Sequence, residues 1–169
     1  ILKKFLPEYD ILQTTTGDFR DVVSFFLRFN FPDNEPQFEA IDACIEICRK
    51  HKLFIKELEC GDKGMVLFGF LGAPVMHIHL KKRAIHLALE CLRIIQEKFN
   101  CSIQVSLSSG RSFCGFIGGK LRHQYGIVGH SVNCAARYLA HCPDHAIITD
   151  RSMIIGNVEY NYLKSANLK

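Results

Sequence analysis

A chain of 169 residues that is 48% hydrophobic and 22% charged can bury a sizeable core within one domain, and this composition excludes wholesale disorder. The net charge of +4 is modest and its cations are scattered, so nucleic acid is not demanded, and no apolar run reaches the roughly 18 residues that a spanning helix needs. Eight cysteines without a CxxC pair argue for free, buried thiols in a reducing cytosol, against a disulfide scaffold and against a structural zinc site.

The chain opens at "ILKKFLPEYD" with neither an initiator Met nor a charged-then-apolar leader. That predicts one domain over residues 1–169, with its core at about 21–149, excised from a longer chain. "DVVSFFLRF" (Asp21 to Phe29) is dense in Val and Phe and reads as a buried strand, closed by the turn-prone "FPDNEP". Phe38, Ile41, Cys44, Ile45 and Cys48 then recur at helical spacing, with Pro36 placed as a first-turn residue. "LFIKELEC" (Leu53 to Cys60) and "MVLFGF" (Met65 to Phe70) flank "GDKG", whose glycines can supply the positive φ of a hairpin turn. A helix from about Leu80 to Phe99 carries Ala84, Leu87, Ala88, Cys91, Ile95 and Phe99 on one side.

The second half predicts strands at "SIQVSL", "SFCGFIG" and "QYGIV", a helix from near Ser131, and a last strand at "AIIT" (Ala146 to Thr149). The basic knots "RKHK" (Arg49 to Lys52) and "HLKKR" (His79 to Arg83) read as solvated helix ends. Strand, helix, hairpin, helix, strand describes an α+β sandwich of the ferredoxin-like βαββαβ type, enlarged by further strands and a helix.

One segment stands apart. "QYGIVGHSVNCAARYLAH" (Gln124 to His141) runs from a strand through a glycine into a helix bearing Asn133 and Arg137 at i and i+4, on one face. The longer stretch "SLSSGRSFCGFIGGKLRHQYGIVGHSVNCAARYLAH", with glycines at 110, 115 and 118, ends in a G-x-x-V-N-x-A-x-R pattern met by Gly129, Val132, Asn133, Ala135 and Arg137. With "GDKGMVLFGF" upstream, it resembles the nucleotidyl cyclase homology domain of class III adenylyl and guanylyl cyclases, over roughly Asp21 to Thr149. Among subfamilies it is most similar to the second catalytic domain of soluble, bicarbonate-responsive adenylyl cyclases.

The resemblance implies that such domains work in head-to-tail pairs, with ATP cyclised at the interface and Mg²⁺ as cofactor. It implies that Asn133 orients the ribose and that Arg137 stabilises the pentavalent α-phosphate, where a planar guanidinium suits spread oxygen charge. It places Lys56 as the base-reading lysine, although strict spacing from Asp62 points to Leu58. Gly126 stands where an aspartate partner is expected, behind Tyr125, leaving the backbone from Gly126 through Ile127 to Val128 to meet the base. A phosphate-binding lysine near the C-terminus is Lys164 or Lys169, and Lys164 is the preferred choice.

The metal site departs from the pattern. Arg28 replaces the first expected aspartate and would repel Mg²⁺, while Asp62 is a weak candidate for the second, since "GDKG" is equally a plain turn. The expected partner is therefore a first-type cyclase domain, in the same chain or in trans, that brings both aspartates and holds most of the magnesium. The rival expectation is a catalytically silent, cyclase-like regulatory module, which Arg28 and Gly126 favour and the Asn133 and Arg137 pair opposes. An RNA-recognition domain is a weaker rival: "RSFCGFIGG" echoes its aromatic strand motif, yet Phe113, Gly115 and Ile117 read more simply as core strand. Guanylyl cyclase activity remains open as a substrate variant.

Overall fold

The structure is a computed structural model that describes residues 17–32, 37–61, 64–156 and 159–161. The element order is β1 (Asp18–Asn30), α1 (Phe38–Lys50), β2 (Phe54–Gly61), β3 (Gly64–Leu71), α2 (Leu80–Lys98), β4 (Ser102–Gly118), β5 (His123–Val128), α3 (His130–Leu139) and β6 (Ala146–Thr149), followed by one 3₁₀ turn at Arg151–Met153. The strands lie in the order β2-β3-β1-β4-β5, with β6 also paired to β4. The first four strands and two helices give the expected ferredoxin-like βαββαβ arrangement, and β5, α3 and β6 are the additions.

The period of two along β1 decides the layers. Val23, Phe25, Leu27 and Phe29 are fully buried against a core that contains Ala40, Ile41, Cys44 and Cys48 of α1 and Ala84, Leu87, Ala88, Cys91 and Ile95 of α2. Their neighbours Val22, Ser24, Phe26 and Arg28 face the opposite side, where Phe54, Phe70, Tyr125 and Ile127 form a second, smaller core. Filling both faces explains why "DVVSFFLRF" is almost continuously apolar.

Three sequence expectations change in detail. "SIQVSL" and "SFCGFIG" are one 17-residue strand, because the intervening Ser108, Ser109 and Gly110 stay paired with Ser24, Val23 and Val22 of β1. The polar "SSG" that reads as a turn is a polar stripe on a continuous strand. Phe38, expected on the buried face of α1, is the helix's first residue and is 66% exposed, and the buried face begins at Ala40. Phe99 packs only at the margin of the core. Pro36 lies outside the described residues.

The hairpin follows its chemistry: Gly61 pairs with Gly64, and Gly64 takes φ 85°, a conformation open to glycine and costly for most other residues. Asp62 and Lys63 lie outside the described residues. At the end of α1, Arg49 and Lys50 are exposed as expected of a solvated end, and Lys50 Nζ and His51 Nε2 approach the Glu90 carboxylate of α2 at 2.6 and 2.8 Å. Those two partners hold the Glu90 carboxyl below its ordinary value. All eight cysteines are free thiols, seven of them buried, and burial pushes Cys101 and Cys114 up to about 11. No helix among the described residues is long and apolar enough to cross a membrane.

Candidate active site

The helix that carries Asn133 and Arg137 is fixed to the sheet by polar contacts along a single stripe. Ser131 Oγ lies 3.1 Å from both Ser24 Oγ of β1 and Ser112 Oγ of β4. One turn on, Ser106 Oγ donates to the Ala135 carbonyl at 2.7 Å, and one turn further Arg28 Nη2 donates to the Leu139 carbonyl at 3.2 Å. Positions 131, 135 and 139 therefore face the sheet. At about 100° per residue, positions 133 and 137 lie roughly 200° round the helix from that stripe. Asn133 and Arg137 are accordingly exposed, and among the described residues neither enters an ion pair.

Glycines let the helix sit this close. A Cβ on Gly110 would meet Ser131 Cβ at 3.4 Å, and one on Gly129 would fall 2.6 Å from Ser112 Cβ and 3.1 Å from Ser112 Cα. Gly129 is in extended backbone, so the requirement there is space and not φ. Replacing Gly129 by alanine should cost about 1–3 kcal/mol through overpacking against a buried, hydrogen-bonded serine. Urea unfolding of the variant beside the parent chain measures it.

A second group of residues converges at β5. Strands β2 and β5 are at opposite ends of the strand order, yet they meet over the second face: the Phe54 and Tyr125 rings are 5.4 Å apart, and Phe70 and Phe116 also pack on Tyr125. Burial raises the pKa of the Tyr125 phenol, so it packs as a neutral group. Lys56 runs directly past Gly126, its Cε 3.1 Å from the position of a Cβ there. The Lys56 side chain is 10% exposed and meets one acid, Glu57, at 3.4 Å. The structure thus brings Lys56 together with Gly126, while Leu58, the alternative by strict spacing, is 46% exposed. Ile127 is buried beside Tyr125, and Val128 is 59% exposed.

Arg28 stands on β1 between Val66 of β3 and Gln104 of β4. Its Nε donates to Gln104 Oε1 at 2.6 Å and its Nη2 contacts the same oxygen, so the guanidinium is committed to protein acceptors. A cation held there does not fit a magnesium ligand set, and among the described residues no three His, Cys, Asp or Glu side chains are arranged to hold a metal. Asp62, Lys164 and Lys169 lie outside the described residues.

Sequence reasoning passed over Ser24, Ser106, Ser112 and Gln104, whose side chains hold the helix or its neighbouring loop. The available signal was the row of polar residues at even positions of β4, inside an otherwise apolar strand.

Comparison with known proteins agrees with this architecture. The profile of the family described as "Adenylate and Guanylate cyclase catalytic domain" matches residues 38–165. Adenylate cyclase type 10 of Oryctolagus cuniculus is 31% identical over 158 residues, covering 85% of this chain and 10% of that protein. Its Homo sapiens counterpart is 30% identical over 157 residues, with the same coverage of 85% and 10%. Among solved structures, the adenylyl cyclase CyaB from P. aeruginosa superposes with a TM-score of 0.71 at 16% identity, covering 82% of this chain and 80% of that one. The catalytic core of a rhodopsin-guanylyl cyclase with converted specificity, in complex with ATPalphaS, gives 0.67 at 21% identity, covering 82% of each.

The fold is therefore that of the class III nucleotidyl cyclases. The chain belongs to the adenylate and guanylate cyclase catalytic domain family, and it is similar in sequence to adenylate cyclase type 10. It spans about a tenth of the length of those curated relatives.

Proposed function

We propose that this domain is one half of a two-domain adenylyl cyclase, in which ATP becomes cyclic AMP and pyrophosphate at the interface with a partner cyclase domain. The ribose 3′-oxygen gives up its proton to solvent water and attacks the α-phosphorus while the bond to the bridging oxygen of the leaving pyrophosphate breaks. Asn133 orients the ribose for that attack, and Arg137 stabilises the charge spread over the pentavalent α-phosphate. Lys56 and the backbone of Gly126, Ile127 and Val128 meet the base, and Lys164 meets the phosphates. Magnesium comes with the partner, whose carboxylates supply what Arg28 denies here.

The observation that carries this reading is the helix α3: it is bound to the sheet on one stripe and presents a hydrogen-bonding amide and a guanidinium, one turn apart, on the outward one. The adenylate cyclase type 10 relatives favour ATP as the nucleotide. Free thiols favour a reducing cytosolic setting, and bicarbonate sensitivity follows from the same likeness. A second reading, a silent regulatory module, draws on Arg28 and on the missing side chain at Gly126.

The test measures cyclic AMP formed from Mg²⁺-ATP by the chain alone and mixed with a first-type cyclase domain that carries both metal aspartates. Activity only in the mixture is expected. No activity in any mixture, with association of the two domains shown intact, would transfer the reading to the silent module.

A further inference from the structure

Arg28 does more than empty a metal position. Its Nη2 donates to the Leu139 carbonyl, in the last turn of α3, where the unsatisfied carbonyls concentrate the negative end of the helix dipole. Its Nε donates to Gln104 Oε1, and the amide nitrogen of Gln104 donates in turn to the Cys142 carbonyl at 2.7 Å and to Asp144 Oδ1 at 2.9 Å. Asn30, two residues along β1, donates to the same Asp144 oxygen at 2.8 Å. A half-buried cation, a buried amide and an acid therefore tie the end of α3 and the residues after it to the middle of the sheet. Arg137 lies two residues before Leu139, on the turn that this network holds.

Resting on the function proposed above, we infer that Arg28 is a positioning residue for Arg137: the guanidinium that stands at the family's metal position fixes the height and rotation of the catalytic end of α3. The serine contacts at Ser131 and Ala135 hold the beginning and middle of the helix, and Arg28 holds its end. A single Arg28→Asp exchange then cannot return this domain to a metal-bearing half. A carboxylate there would face the Leu139 carbonyl and the negative end of the helix, and the last turn of α3 would lose its side-chain donor.

The test compares the parent chain with Arg28→Met, which keeps the apolar stem and removes the donors, and with Arg28→Lys and Arg28→Asp. Amide hydrogen exchange is followed on the isolated chain, and steady-state kinetics are followed in the mixture with a first-type domain. Faster exchange confined to the last turn of α3 and residues 140–144 is expected in Arg28→Met, with kcat lower by about tenfold or more and KM for ATP little changed, since misplacing a catalytic group costs turnover before binding. Arg28→Lys, which keeps one charged donor, should recover part of both effects. Arg28→Asp should behave like Arg28→Met or worse and show no Mg²⁺-dependent activity by itself.

Unchanged exchange in α3 of Arg28→Met overturns the inference, as does magnesium-dependent activity gained by Arg28→Asp alone. A mixture that is inactive even with the parent chain sinks the proposed function instead, and the exchange measurement still decides whether Arg28 holds the helix.

Discussion

Replacing Arg137 by alanine should lower kcat of the proposed two-domain enzyme by about 10²–10³-fold, the usual loss when one donor aimed at developing oxygen charge is removed. The KM for ATP should move little, because the α-phosphate gathers its extra charge only on the way to the pentavalent state. The folded chain should not notice the change: Arg137 is exposed and outside every ion pair found among the described residues. Thermal unfolding of the isolated variant should therefore coincide with that of the parent. Arg137→Lys should remain well below the parent, since an ammonium is a point charge and cannot contact two equatorial oxygens with a planar fork. A rise in KM alone, with kcat preserved, would assign Arg137 to substrate capture and remove it from the chemistry.

Gly126→Asp should sharpen the choice of base. In the parent chain Lys56 is the charged group beside Gly126, and an ammonium only donates. Adenine N1 and guanine O6 both accept, so in the proposed base site the lysine by itself separates them poorly and discrimination is left to the backbone groups of residues 126–128. A carboxylate at position 126 would accept from the adenine amino group and repel the guanine oxygen. Its Cβ would come within 3.1 Å of Lys56 Cε, so the lysine stem must give by a few tenths of an ångström, which a long flexible side chain can do. A charge-assisted hydrogen bond contributes about 1.5–3 kcal/mol, or roughly ten- to hundredfold in a ratio of rates. The ratio of kcat/KM for ATP to that for GTP in the mixture should rise by about that factor. An unchanged ratio would mean that the base is read elsewhere.

Much of this molecule was legible one residue at a time. The Val and Phe run of β1, the helical recurrence through Cys44 and Cys48, the glycine-bounded hairpin and the Asn133 to Arg137 spacing are local patterns, and each local period dictates its element. The glycine at 129 and the polar pair after it on α3 are legible for the same reason: the information lies within a few residues.

Other features depend on partners distant in sequence. "SSG" within β4 carries ordinary turn chemistry, and only pairing with Val22, Val23 and Ser24 of β1 makes it strand. Lys56 and Gly126 are 70 positions apart on strands at opposite ends of the sheet order, so their meeting required the end of β4 and β5 to come over the second face. Arg28 reads in sequence as a missing carboxylate, but in the fold it gains acceptors at Gln104 and Leu139.

The sequence by itself determined most of the helices and strands and their apolar faces, and that Asn133 and Arg137 share one face of a helix, because propensity and periodicity act over a turn or two. The tertiary structure alone decided where that face points, what stands beside Gly126 and what Arg28 holds. Those outcomes depend on hydrogen bonds and close packing between strands far apart in the chain, which become defined only once the sheet has formed and twisted.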